Sequence, residues 1–118
     1  MGTFRVEATV RNPRDPGQAV TIPLLVDTGA TYTTLPREVA DQLGLESINT
    51  RRIRLADGRE ERWPIAPILI RVAGAEGPSL ALIGRMRGPA LLGAVTLEEL
   101  GLAVDPRRQR LVEATALL

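Results

Sequence analysis

One carboxylate in this chain stands where chemistry is expected of it. Asp27 closes the apolar run Leu24-Leu25-Val26 and is followed at once by Thr28, Gly29 and Ala30. An apolar strand fixes the backbone up to the acid. Thr28 offers a hydroxyl for bracing, Gly29 permits a tight turn, and Ala30 leaves room for a substrate backbone to pass close. A carboxylate held in this way suits the activation of water against a peptide carbonyl, but only as one of a pair. Two carboxyl groups about 3 Å apart cannot both ionise, so they keep one proton between them. The charged member takes a proton from the attacking water while the protonated member stabilises the developing oxygen. The Asp-Thr-Gly-Ala run occurs once in 118 residues, so the second carboxylate is expected from a second copy of the chain, Asp27 meeting its own counterpart near a two-fold axis. The plainer alternative is a turn between two strands in which Asp27 bonds its own backbone.

Composition removes most competing chemistries. With no cysteine and no histidine, cysteine nucleophiles, disulfides, zinc fingers and Ser-His hydrolases are excluded. Asp15, Asp41, Asp57 and Asp105 fall in turn or helix contexts without the spacing of a metal cage, so neither metal nor cofactor is expected. Fifteen basic residues, all arginine, nearly cancel fourteen acidic ones, and only 3% of residues are aromatic; a nucleic-acid partner would call for a basic excess with stacking rings. The first ten residues alternate like a strand rather than a leader, and no stretch approaches membrane-spanning length. The expectation is a soluble, cytoplasmic protein without nucleic-acid or membrane partners. A content of 44% hydrophobic and 25% charged residues fits one globular domain over residues 1–118, too short for a two-lobed enzyme carrying both carboxylates.

The elements that must position Asp27 are legible in outline. Alternation and β-branched content predict strands over Phe4–Val10, Ala19–Val26, Tyr32–Leu35, Thr50–Leu55, Arg62–Val72, Ser79–Ile83, Ala90–Leu92 and Arg110–Ala114, with helices over Arg37–Leu43 and Thr96–Leu100. Thr96 is read as an N-cap with Glu99 completing a capping box, Leu97, Leu100 and Leu102 as the buried side, and Gly101 as the stop. Pro13, Pro16 and Gly17 predict a first loop, Gly74, Gly77 and Pro78 a later one, and Asp105-Pro106 a turn before the last strand.

On these residues the chain resembles the retroviral-type aspartic proteases, the retropepsins, and especially their small prokaryotic relatives. The resemblance rests on Val26-Asp27-Thr28-Gly29-Ala30, on Leu35-Pro36 and the helix ending Leu43-Gly44-Leu45, on Leu55-Ala56-Asp57-Gly58-Arg59, and on Leu91-Leu92-Gly93 through Leu100-Gly101-Leu102-Ala103-Val104-Asp105-Pro106. It implies an all-β domain with one or two short helices: a closed, barrel-like acid protease fold with a single retropepsin-type lobe of six or seven strands. It further implies a homodimer that hydrolyses peptide bonds without a cofactor. Carried over, Asp27 is the catalytic carboxylate, the Thr28 hydroxyl clasps the two loops across the dimer axis, and Gly29 offers its backbone to substrate. Viral members carry an acidic residue after the alanine and an arginine after the second glycine, which pair; this chain has Thr31 and Ala94 there. Both partners are missing together, so no buried charge is stranded, but the bracing must differ.

A hairpin follows about thirty residues after Asp27, where the family has its flap. Arg52-Ile53-Arg54-Leu55 alternates, Asp57-Gly58 is a strong tight-turn pair, and Trp63, Ile65, Ile68 and Ile70 mark a return broken by Pro64 and Pro67. Such a flap would exclude water and donate backbone bonds to an extended peptide. Ala30, Ala56, Asp57, Gly58 and Leu91 are the expected substrate contacts. Trp63 reads as a core anchor or a subsite wall, and Tyr32 as core or rim packing. Three functions are carried forward: a homodimeric aspartic endopeptidase, a non-catalytic dimerisation or peptide-binding module, and a protease active only when a precursor concentrates it.

Overall fold

The computed structural model describes residues 3–118; Met1 and Gly2, at the head of the expected N-terminal alternation, lie outside them. In chain order the elements are β1 (Arg5–Asn12), β2 (Asp15–Val26), β3 (Thr33–Leu35), α1 (Arg37–Leu43), β4 (Asn49–Arg54), β5 (Glu60–Val72), β6 (Ala75–Ile83), β7 (Leu91–Leu92), α2 (Ala94–Glu99), β8 (Leu102–Asp105) and β9 (Arg110–Glu113). Seven strands pair in the order β1-β2-β7-β3-β6-β5-β4, and a further β1–β5 pairing closes the sheet into a ring. β8 and β9 form a separate two-stranded sheet. The expected β-rich closed fold with two short helices is what forms.

The ring closes because β5 is long enough to serve three partners. Glu60–Ile65 pairs with β4 and Leu69–Val72 with β1 along one edge, while Ile65–Val72 pairs with β6 along the other. Inside the ring, Leu24 and Val26 of β2, Ile68 and Ile70 of β5 and Leu92 of β7 pack with Leu35, Leu43 and Leu97 in one core cluster. Each such side chain contributes about 1.5–3 kcal/mol by leaving water. In β2 burial alternates at the end that matters: Leu24 and Val26 point into the core, so Leu25 and Asp27 point to the opposite face.

Several boundaries depart from expectation. The return strand is not broken at Pro64 and Pro67 but continuous. The Ile65 carbonyl accepts from the Ile48 N–H (3.0 Å), so alternate residues from Ile65 onward face the β4/β1 edge; Pro67 therefore faces the gap between those two partners. Pro64 faces the β6 edge beyond its last pair, Ile65–Leu82. Neither proline is asked for an N–H. The first loop shrinks to a turn at Pro13 and Arg14, with Pro16 and Gly17 inside β2 beyond a bulge at Arg11/Asn12; the Arg11 guanidinium holds the Pro16 carbonyl (2.8 Å). Likewise Gly77 and Pro78 belong to β6, because the β5–β6 turn needs only Ala73 and Gly74, whose φ angles of 52° and 79° match the twist of a two-residue hairpin.

The larger correction concerns the C-terminal third. α2 begins at Ala94 with Gly93 as its N-cap, so Thr96 is an interior helical residue and no Thr96–Glu99 capping box forms. The Thr96 side chain is fully buried and its hydroxyl is drawn into a tertiary network instead. Gly101, with φ 69°, does end the helix. Leu102 then starts β8, a strand absent from the expected set, because Leu102–Asp105 pairs with β9 through Glu113–Arg110.

Candidate active site

Asp27 is placed from both sides by backbone hydrogen bonds. Its N–H donates to the Leu92 carbonyl (3.0 Å), continuing the parallel β2–β7 pairing in which Leu25 and Val26 face Leu91 and Leu92. The turn that follows is closed by the Ala30 N–H on the Asp27 carbonyl (3.1 Å). The Gly29 N–H donates to Asp27 Oδ1 (3.0 Å), which is the Asx turn of the plainer reading. The two readings are therefore compatible: one carboxylate oxygen orients the side chain and the other is left for chemistry. Gly29 is not in the left-handed region; a Cβ there would lie 3.2 Å from Asp27 Oδ1 and would press on the oriented carboxylate. Thr28 and Gly29 are exposed and Asp27 half-buried.

Where viral members have an acid–arginine pair, this chain ties the loop down through its backbone. The Ala94 N–H donates to the Ala30 carbonyl (2.8 Å) and the Val95 N–H to the Thr31 carbonyl (2.9 Å). Beneath them Gly93 lies against the Tyr32–Thr33 backbone so closely that any Cβ would overlap it. The Gly93 N–H donates to Thr33 Oγ1 (3.1 Å), and the Thr33 hydroxyl donates to Thr96 Oγ1 (2.6 Å). Ser79 Oγ lies 2.8 Å from Thr96 Oγ1 and donates to Glu99 Oε1 (2.6 Å). Because the one Ser79 proton is committed to Glu99, Thr96 must donate to Ser79. The chain runs one way, from Gly93 through three hydroxyls to a carboxylate, and each hydroxyl both accepts and donates. Thr33, Thr96 and Ser79 are all buried, so a break strands a polar group.

Thr96→Val is accordingly expected to cost about 1–3 kcal/mol, because it keeps the volume but leaves the Thr33 proton and the Ser79 oxygen unpartnered. Thr96→Ser should fall near wild type. Urea unfolding midpoints of the two variants check this; an unchanged midpoint for Thr96→Val would mean the network carries no stability.

The remaining expected site residues divide into two groups. Ala30 and Leu91, both half-buried, flank Asp27, Leu91 standing in register with Leu25 on the Asp27 face. Ala56, Asp57 and Gly58 sit at the exposed hairpin tip, whose bonds run within the hairpin. The Leu55 N–H donates to the Arg59 carbonyl (2.8 Å) and the Gly58 N–H to the Leu55 carbonyl (2.9 Å). Asp57 accepts from the Arg59 backbone N–H (2.9 Å) and from Arg59 Nε (2.6 Å). These bonds hold the Asp57 carboxyl below its ordinary range.

Trp63 is not a core anchor: it is half-buried over Gly84, its Nε1–H donates to Glu61 Oε1 (2.9 Å), and with Arg37, Arg85 and Met86 it lines a surface hollow of about 430 Å³. Tyr32, before β3 rather than in it, is a rim residue whose hydroxyl accepts from Arg51 Nε (3.2 Å). Thr33, Ser79, Thr96 and Glu99 escape sequence reasoning because residues 17 to 63 positions apart share no linear signal. Among the described residues no group of acids suited to a metal ion occurs, and no helix is long and apolar enough to cross a membrane.

A sequence model of the family described as "gag-polyprotein putative aspartyl protease" matches residues 17–99, a span that contains the Asp27 loop, the hairpin and the Gly93 crossing. No curated protein gives a significant match.

Proposed function

Because the chain belongs to this retropepsin-like family of aspartyl proteases, we propose that it is a homodimeric endopeptidase in which Asp27 and the Asp27 of a second copy activate one water between them. The observation that carries this reading is a built but half-complete site: one carboxylate, oriented by the Gly29 N–H and braced from below by β7, on an exposed loop with no second such acid in the chain. The 118 residues act as one domain. Thr28, on the exposed tip of the loop, supplies a hydroxyl to the facing loop, and the Gly29 backbone receives the peptide.

The fold offers support for pairing. A lone two-stranded sheet is marginal in water, and β8–β9 has an outer β9 edge that pairs with no strand among the described residues; joining the same unit of a second copy would satisfy it. The β4–β5 hairpin serves as the flap. A carboxyl whose folded pKa is depressed contributes stability above its unfolded value and loses it only as pH falls through the folded one. The Asp57–Arg59 contacts, which lower the Asp57 carboxyl, are therefore fully present above its ordinary pKa and are lost as pH falls through the lowered one.

Cleavage of an unstructured protein mixture, with cut sites read by mass spectrometry, tests the proposal. The rate is expected to follow a bell-shaped profile with its maximum at about pH 4–6, set by two carboxyls sharing one proton. A profile flat to alkaline pH would point to other chemistry, and no cutting by a sedimentation-verified dimer would make the protein a non-catalytic peptide-binding module. Activity that appears only at concentrations where dimer forms would identify a protease controlled by its own concentration.

A further inference from the structure

The β4–β5 hairpin has one half-buried face. Along β4, Arg51 and Ile53 are half-buried while Thr50, Arg52 and Arg54 are exposed, as the period of a strand requires. On that face Arg51 stands opposite Trp63, and Ile53 opposite Glu61. Arg51 is also where the hairpin meets the loop. Its Nε donates to the Tyr32 hydroxyl and its guanidinium carbon lies 5.9 Å from the centre of the Tyr32 ring, within cation–π range. Tyr32 comes two residues after Ala30, so Arg51 and Tyr32 make a joint wall that ties the hairpin to the chain leaving the Asp27 loop.

The chemistry of that wall is one-sided. Arg51 Nε is used by Tyr32 and Nη1 by the Thr50 carbonyl (3.2 Å), which leaves further guanidinium N–H groups. The Tyr32 oxygen accepts from Arg51, so its own proton is available to donate. Among the described residues Arg51 forms no ion pair, whereas the acid sharing its face, Glu61, is held by Arg85 (2.5 Å) and Trp63. Arg54 and Arg59 are likewise matched, to Glu60 and Asp57. Between Asn49 and Ile65 five arginines face three carboxylates, so the hairpin as a whole attracts anions. A phenol and a guanidinium that both donate, beside the apolar Ile53 on the same face of β4, call for an acceptor that is charged.

We propose that Tyr32 and Arg51 form a specificity subsite that takes the carboxylate of an acidic substrate side chain flanking an apolar cut site. This deepens the endopeptidase reading and rests on it for the direction in which the peptide lies. Two parallel charge-assisted bonds are the geometry a guanidinium offers a carboxylate.

Binding to Asp27→Asn, which keeps peptides whole, separates this subsite from catalysis. The probes are fluorescent peptides with an apolar centre and a single Glu moved through the flanking positions, each paired with its Gln counterpart. At one position Glu is expected to bind about tenfold or more tightly than Gln, the margin shrinking as salt rises. Arg51→Glu, placed in the same background, should abolish that margin and favour Lys at the same position. Arg51→Met keeps the apolar stem and should lose the margin without a change in fold, and Tyr32→Phe should lower it a few-fold. Equal binding of Glu and Gln at every position, no binding of either, or a margin that survives Arg51→Met would overturn the proposal. Cleavage by wild type without any Glu preference would leave the protease standing and remove the subsite; selective binding without wild-type cleavage would do the reverse.

Discussion

Asp27→Asn should lower peptide hydrolysis by about a thousandfold or more while leaving the chain folded and paired, since the lost general acid–base function is what the pair supplies. Asparagine is the informative replacement. Its Oδ1 can still accept the Gly29 N–H that orients the side chain at 3.0 Å, and the main-chain bond to Leu92 is untouched, so a loss of rate reports chemistry and not collapse. The same variant tests whether two chains share one site. If subunits exchange freely, a wild-type chain in an equal mixture has another wild-type chain as partner about half the time, and activity per wild-type chain should fall to about half. In a ninefold excess of variant it should fall to about a tenth. Activity simply proportional to wild-type protein would show that each chain works alone and would sink the shared-dyad mechanism.

Gly93→Ala is expected to cost about 4 kcal/mol or more, a large share of the stability of a domain this size. The added methyl would overlap the Tyr32 carbonyl carbon and lie 2.5 Å from its oxygen and 2.7 Å from the Thr33 nitrogen. These are backbone atoms with no rotamer to yield, so β7 and the chain after the site loop must move apart. The contacts strained are the ones that hold the site: Leu92 to Asp27, Ala94 to Ala30, and the Gly93–Thr33 bond. Gly17→Ala is a control, because a methyl there meets only Asp15 Oδ1 at an ordinary 3.7 Å and should shift stability by less than about 0.5 kcal/mol. Chemical denaturation of both variants decides the matter. A wild-type midpoint for Gly93→Ala would mean the two backbone segments separate freely and that β7 does not fix Asp27.

What could be read from the sequence was local. Asp27-Thr28-Gly29-Ala30 at the end of an apolar run announced a carboxylate on a turn. α1 was visible from its start after Pro36 to its stop at Gly44, whose φ of 65° is the ordinary use of glycine at a helix end. The Asp57-Gly58 tip was visible for the same reason, a turn pair between alternating runs. Prolines misled where their neighbours mattered. A proline breaks a strand only if its missing N–H faces a partner, and the edges of β5 at Pro64 and Pro67 have none.

The sequence by itself determined the candidate carboxylate and the short-range geometry around it, because a turn, a cap or an alternating strand is decided by residues within a few positions of one another. Tertiary structure alone decided what holds that group in place and what faces it. Thr96 reads as a helix cap until Thr33 and Ser79 arrive from other strands to claim its hydroxyl. Arg51 reads as one of many surface arginines until the ring of strands sets it against Tyr32. Burial is the physical reason. A hydroxyl removed from water must bond to whatever the fold brings beside it, and a half-buried guanidinium without a carboxylate retains a charge for a ligand to meet; neither condition is written in the neighbouring residues.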